Sequence, residues 1–305
     1  SAPTQAELTA SPMQGTHAGT VWVDPSLPEL AADSLELPTG WQTVDQDSAY
    51  VSITYTDQNQ IAQWILALTA PFPTLIEEVT SSSLLAAWQG HLDANFTDRV
   101  LLMSQPVFDA LTQSWGVANS STVQVLPEED LLDTAWETGA FAIIPFDQLE
   151  PRWKVLPIDG ISPIHPDFDV DQYALTLSIG LQGQESAIEQ FLADVQSGKK
   201  PLITATNRDA SKLTVLAMTG VTALARSTAY TMEQEGITYP GEHVRQVLAS
   251  ADITHISNEV SFAENCPEPQ PQRTGMMFCS DPSYIELLEY IGTDIIELTG
   301  DHLAD

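Results

Sequence analysis

Positive charge is what this sequence lacks. Ten Lys and Arg stand against 42 Asp and Glu in 305 residues, a formal net charge of −32, and no basic residue precedes Arg99. Such a field excludes nucleic acid as a partner, because no cationic surface exists to neutralise a phosphate backbone. It also repels an anionic polymer or membrane surface unless divalent cations bridge the two. Long apolar runs are missing too, and none approaches the roughly 18 residues of a membrane-spanning helix. No Gly-x-Ser-x-Gly elbow and no Rossmann or Walker glycine loop occurs, which removes the sequence marks of a serine hydrolase and of a nucleotide cradle. Cysteine is reduced to Cys266 and Cys279. They flank a Pro-rich, turn-forming segment, and in a chain that reads as exported the pair is expected to form a disulfide.

What is present is enough apolar sequence, 43% of residues, to bury two ordinary cores. Residues 1–20 are small, polar and patternless, like the flexible tether that follows a removed signal peptide or lipid-anchor cysteine. That reading places the protein outside a bacterial cell, extracellular or at the surface, with membrane contact only through the removed anchor. A tag remnant or a frayed terminus is the alternative. From Val21 onward, short apolar runs ("VWV", "YVSITYT", "WILALTAPFPTL", "RVLLM", "TVQVL", "AFAIIPF", "YALTLSIGL") alternate with helix signals. The latter include Ser81-Ser82-Ser83 before "LLAAWQGHL", "PVFDALTQSWG" ending on a glycine, and "ESAIEQFLADVQSG" with Ile188, Phe191, Leu192 and Val195 at helical spacing. Residues 21–205 therefore read as an α/β domain. The tryptophans Trp22, Trp64, Trp88, Trp115, Trp136 and Trp153 sit in apolar runs or helix faces and read as core.

Lys199, Lys200, Arg208 and Lys212, four of the ten basic residues, fall in an aperiodic stretch, and a linker is expected at 206–212. Residues 213–305 then run strand, helix, helix, strand, helix, strand. "KLTVLAMTG" reads as a buried strand, "TALARSTAYTMEQEG" and "EHVRQVLASA" as helices, and "DITHIS" as the second strand. "DPSYIELLEYIG" is a helix with Asp281 as cap and Pro282 at its first position, leading into "TDIIEL". A β-α-β-α-β order implies right-handed crossovers and a parallel sheet. Three loops then gather at one sheet edge: Thr219-Gly220-Val221-Thr222, Ser257-Asn258-Glu259 and Gly300-Asp301-His302. Their donors suit Mn, Mg, Zn or Fe better than a thiolate-bound metal. The bland alternative makes Asn258 and Asp301 turn formers and His302 a helix cap. His17, His91, His165 and His243 have no partner at metal-ligand spacing.

The stretch through "TGVTALAR", "GITYPGE", "ADITHISNEVSFAENCP", "FCSDPSYIELLEYIG" and "ELTGDHLAD" resembles the opening of the bacterial capsule-synthesis, or poly-γ-glutamate biosynthesis, family, which is itself similar to calcineurin-like metallophosphatases. The resemblance implies a metallophosphatase-like domain with ligands at Asn258, Asp301, His302 and Asp305, and Glu259 and His302 as proton-handling groups. The first family mark departs, since Thr219-Gly220 stands where Gly-Asp is usual. The second lacks its spacer leucine, and the third has Asp301 in place of Asn. A complete domain of that type needs about twice the residues after the junction, so the chain is expected to end inside it. Residues 21–205, through "APFPTL", "SSSLLAAWQG" and "AIIPFDQLEPRWKVLPIDGISP", are similar to type II solute-binding domains of the phosphate-binding kind. That likeness would put an anion on the amides before Ser82 and Ser83; simple capping is the alternative. The expectation is an α/β protein that handles an anionic capsule polymer through a weakly held or absent divalent metal (Mn, Zn or Mg). The alternative is an extracellular module binding a small anionic solute.

Self-repulsion among the 42 acidic residues is screened over about 10 Å at 0.1 M salt. The melting temperature is therefore expected to rise between low and moderate NaCl; a flat or falling profile in differential scanning calorimetry would contradict this.

Overall fold

The computed structural model describes residues 19–198, 201–271 and 278–302. The chain is α/β and divides between Ala210 and Ser211 into two units. The expected tether at 1–20 lies outside the described residues as far as 18, while Gly19 and Thr20 already belong to the first strand. The strands of the first unit are β1 (Gly19–Val23), β2 (Trp41–Thr43), β3 (Val51–Tyr55), β4 (Gln60–Pro71), β5 (Leu101–Met103), β6 (Val123–Val125), β7 (Phe141–Pro145), β8 (Trp153–Val155) and β9 (Thr176–Gly183). Its helices are α1 (Glu29–Asp33), α2 (Ser81–Trp88), α3 (Gln105–Trp115), α4 (Leu131–Thr138) and α5 (Glu185–Ser197).

The sheet runs β2-β1-β3-β9-β4-β7-β5-β6, with β8 also on β4. Strand β4 is long enough to serve two half-sheets. Its first half pairs antiparallel with β9 and its second half with β7 and β8. From Ile65 to Pro71 every residue is buried, so alternation is lost as expected where both faces of a sheet are covered. The covers can be read residue by residue. Leu101, Met103, Phe141 and Ile143 meet Leu84, Ala87 and Trp88 of α2 and Val107, Ala110 and Leu111 of α3 in one core. The intervening Leu102, Ala142 and Ile144 turn the other way and meet Leu131, Leu132 and Ala135 of α4 together with Trp153. On α5 the predicted spacing holds, with Ile188 and Phe191 buried and Leu192 and Val195 packed against the same core. Trp64, Trp88 and Trp153 are buried, whereas Trp136 is exposed and its Nε1 donates to Arg152 O at 3.2 Å.

The region expected as a linker is in part sheet. β7 ends at Pro145 opposite Leu66, and proline has no N–H to continue a ladder. Asn207 supplies the continuation from its side chain: Ile65 N donates to Asn207 Oδ1 (2.8 Å), and Asn207 Nδ2 donates to Ile65 O (2.9 Å) and to Asp147 Oδ1 (2.7 Å). Gln63 N donates to Ala205 O at 2.8 Å. Residues 205–207 thus complete the first unit, and the sequence reading missed this because an isolated polar residue carries no periodicity.

In the second unit β10 (Leu216–Thr222), β11 (Ile253–Asn258) and β14 (Ile295–Glu297) form a parallel sheet in the order β10-β11-β14. A separate two-residue pair joins β12 (Ser261–Phe262) to β13 (Cys279–Ser280). The helices are α6 (Arg226–Glu235), α7 (Arg245–Ala249) and α8 (Ile285–Tyr290). Asp281 caps the 3-10 turn that leads into α8, accepting from Ser283 N at 2.9 Å. One sheet face is closed by a core of Leu224, Ala229, Met232, Ile256, Tyr284, Leu287, Leu288 and Ile291. Two expectations are corrected here. β10 was read as buried, yet Leu216, Met218 and Val221 are 53%, 66% and 73% exposed; apolar composition reports tolerance of burial, and only packing partners produce it. Thr219 and Gly220, read as a loop, stay within β10 at a register shift between Met218 and Val221. Cys266 and Cys279 form a disulfide, with Cα atoms 5.7 Å apart.

Asn207→Ala is expected to cost on the order of 2–4 kcal/mol, because it strands the Ile65 amide and carbonyl in a buried site. Urea denaturation measures it, and an unchanged midpoint would show that this side chain does not complete the sheet.

Candidate functional site

Asn258 is the last residue of β11, and Glu259 follows it. Glu259 N donates to Thr222 O at 2.8 Å, which ties the β11 exit to the end of β10. After β14 the chain returns beside them, and Val260 and His302 make an isolated parallel bridge. Gly300 permits this approach, since a Cβ at that position would lie 2.4 Å from Glu259 Cα and 2.6 Å from Glu259 O. As a result one ligand atom each from Glu259, Asp301 and His302 lies within 4.8 Å of the others. These are three of the residues expected at this sheet edge.

Asn258 is wholly buried. Its Nδ2 donates to Val260 O, while its Oδ1 is buried without a hydrogen-bond partner. A stranded carbonyl oxygen of this kind costs about 1–3 kcal/mol unless something accepts the lone pair. The imidazole of His302 and the carboxylates of Glu259 and Asp301 form a donor set that fits a borderline or hard divalent cation. Both cysteines are in the disulfide, so no thiolate competes. Asp305, expected as a further ligand, lies outside the described residues.

Sequence reasoning missed two neighbours of the cluster. The Phe278 ring packs on the His302 ring at 3.9 Å between centroids, and the Arg226 guanidinium lies 4.0 Å from the centroid of the same Phe278 ring. The scarcity of basic residues was the one available signal for Arg226. His255 was also passed over: its Nε2 is 3.8 Å from Glu297 Oε2, and its Nδ1 is buried without a partner.

The other expected site starts at α2. There Ser83 N donates to Thr80 Oγ1 (3.1 Å) and Ser81 N to Asp159 Oδ1 (3.1 Å). The Ser83 hydroxyl donates to Asp93, and this bond holds the Asp93 carboxyl below the usual carboxylate range. Ser82 Oγ is 3.0 Å from Thr80 Oγ1. The amides of Ser81 and Ser83 are thus engaged by capping groups, with the Asp93 and Asp159 carboxylates beside them.

Between the two half-sheets of the first unit lies a cleft of about 370 Å³ whose walls include Tyr55, Trp64, Leu66, Ser104, Glu128 and Asp147. Tyr55 donates to Ser26 O at 3.1 Å, and burial, reinforced by Asp24, pushes its phenol pKa up so that it stays protonated.

Residues 215–305 match the family described as bacterial capsule synthesis protein PGA_cap. No curated protein matches the chain. Among solved structures it is similar to a possible phosphate binding protein from Planctomyces limnophilus DSM 3776, at 12% identity and TM-score 0.43 over 62% of this chain and 94% of that one. PstS from Borrelia burgdorferi is similar at 8% identity and TM-score 0.43, over 60% and 93% of the two chains. A reduced form of OxyR from N. meningitidis gives 8% identity and TM-score 0.35, over 62% and 98%. Likenesses this remote bring no ligand with them.

Gly300→Ala is expected to destabilise the second unit by about 1–3 kcal/mol, the usual range for a side chain forced into occupied space. Here the obstacle is Glu259 backbone rather than a flexible side chain. Guanidinium unfolding measures the loss, and an unperturbed variant would show that the two loops do not approach this closely.

Proposed function

We propose that this is an exported protein of capsule-polymer synthesis or handling, whose second unit uses a divalent cation to engage an anionic polymer such as poly-γ-glutamate. The observation that carries the reading is the convergence of Glu259, Asp301 and His302 inside the segment that matches the capsule-synthesis family. The charge of the chain supplies the reason for a cation: a protein of net charge −32 repels a polycarboxylate unless a metal bridges them. Export is supported by the disulfide, which persists in oxidising compartments, and by the acidic composition. Among the described residues no helix is long and apolar enough to cross a membrane.

Glu259, Asp301 and His302 would hold the cation, with Asn258 completing or orienting the set. A divalent ion there supplies Lewis acidity toward a carboxylate or phosphoryl oxygen. The chain's own contribution would be positional: Phe278 packs on the His302 ring, and Glu259 would orient a ligand or carry a proton. Three donors make an open and weakly held site. No carboxylate stands at Thr219-Gly220, so efficient phosphoester hydrolysis is not expected of it. A second reading, capture of a small solute by the first unit, is favoured by the cleft between its half-sheets.

Calorimetric titration with Mn²⁺, Zn²⁺ and Mg²⁺ is expected to give micromolar or weaker binding that is lost in His302→Ala, with no turnover of p-nitrophenyl phosphate. Absence of binding by all three metals would end the metal reading. Submicromolar affinity together with His302-dependent turnover would instead make the protein an enzyme.

A further inference from the structure

We infer that Arg226 is a positioning residue for the polymer: its guanidinium takes a carboxylate of the same ligand that the cation engages, and the cavity beside α6 receives the unit that carries it. This rests on the polymer reading above and gives that reading a second contact. Arg226 is the first residue of α6 and stands in the left-handed region, at φ 49°. A residue with a Cβ holds that conformation at a cost, and such strain persists where the surrounding structure requires it. What the conformation accompanies is a defined placement. The guanidinium lies 4.0 Å from the Phe278 ring centroid, and the same ring lies 3.9 Å from that of His302. A basic group and a candidate metal ligand are thus held on one aromatic ring, within reach of a single ligand molecule.

The cavity supplies the second observation. It measures about 430 Å³ and lies between α6 and the segment Cys266–Gln270, with the disulfide in its wall; this is within the range of small-ligand sites. Among the described residues that line it, Arg226 is the one basic side chain. Its planar fork of five N–H donors matches a carboxylate bidentately, and one partner cannot occupy them all. Gln234 and Gln270 also line the cavity and offer both donors and acceptors to an amide. A polymer whose repeat carries one carboxylate and one amide linkage uses both kinds of group. Two acids of the lining are turned to donors of the chain: Tyr284 donates to Glu233 Oε1 at 2.7 Å, and Ser283 N donates to Asp281 Oδ1 at 2.9 Å. One guanidinium beside Glu233, Glu268 and Asp281 compensates a singly charged carboxylate and leaves a phosphate dianion in excess.

The test is calorimetry on the full chain with tri-γ-glutamate and with inorganic phosphate, each at saturating Mn²⁺, repeated on Arg226→Gln and Gln234→Glu. Wild type is expected to bind tri-γ-glutamate more tightly than phosphate. Arg226→Gln should weaken the oligomer by roughly tenfold or more, the scale of a lost hydrogen bond between charged groups, while its Mn²⁺ affinity stays within about threefold of wild type. Gln234 is exposed, so Gln234→Glu, which adds a carboxylate to the cavity wall and should also weaken the oligomer, keeps the test valid if Arg226→Gln fails to fold. Oligomer binding indifferent to both substitutions would overturn the inference and leave the polymer reading standing. Loss of Mn²⁺ affinity in Arg226→Gln as large as the loss of oligomer affinity would also overturn it, since Arg226 would then act on His302 through Phe278 and not on the polymer. Tighter binding of phosphate than of the oligomer would overturn the carboxylate assignment. Absence of oligomer binding by the Mn²⁺-loaded wild type would overturn both the inference and the polymer reading.

Discussion

The first unit depends on one strand serving two half-sheets. Strand β4 must pair with β9 along its first half and with β7 and β8 along its second, and the handover falls at Ile65 and Leu66. There β7 stops at a proline, and the backbone groups of Ile65 are met by a side-chain amide from Asn207, more than 140 residues away. A buried strand with unpaired amides is not tolerated, so the return of the chain to this point is a condition of the fold. The same two half-sheets contribute the walls of the cleft, through Tyr55, Trp64 and Leu177 on one side and Leu66, Ser104 and Pro145 on the other.

In the second unit the corresponding constraint is a close backbone approach. The β11 exit and the β14 exit meet through the Val260–His302 bridge, and the missing side chain of Gly300 lets Glu259 come alongside. Three donors from two loops are then held by backbone geometry, and the Phe278 ring limits the freedom of His302. The disulfide ties down the neighbouring segment, since Cys279 follows Phe278 and pairs in β13 with Ser261.

Charge links the two candidate sites. Few ion pairs occur among the described residues, and those of Arg152 are largely exposed, where such pairs contribute little. Most carboxylates are therefore uncompensated within the chain.

The sequence by itself determined whatever is encoded by local pattern. Helical spacing placed α5, the Asp281-Pro282 pair placed the turn into α8, and alternating elements implied a parallel sheet after residue 213. The two cysteines, being the only pair, determined the disulfide. It also brought Glu259, Asp301 and His302 to one edge, because loops after parallel strands share that edge whatever their details. Tertiary structure decided what depends on distant partners. At Ser82 and Ser83 the local pattern leaves anion binding and simple capping both open, and only the fold brings Asp159 to the Ser81 amide and Asp93 to the Ser83 hydroxyl, while Ser104 at α3 makes no side-chain cap. Leu216, Met218 and Val221 looked buried and are exposed, because hydrophobicity states a preference and packing neighbours satisfy it. Asn207 looked like linker and completes a strand, because a side chain's hydrogen bond to a distant backbone leaves no trace in local periodicity.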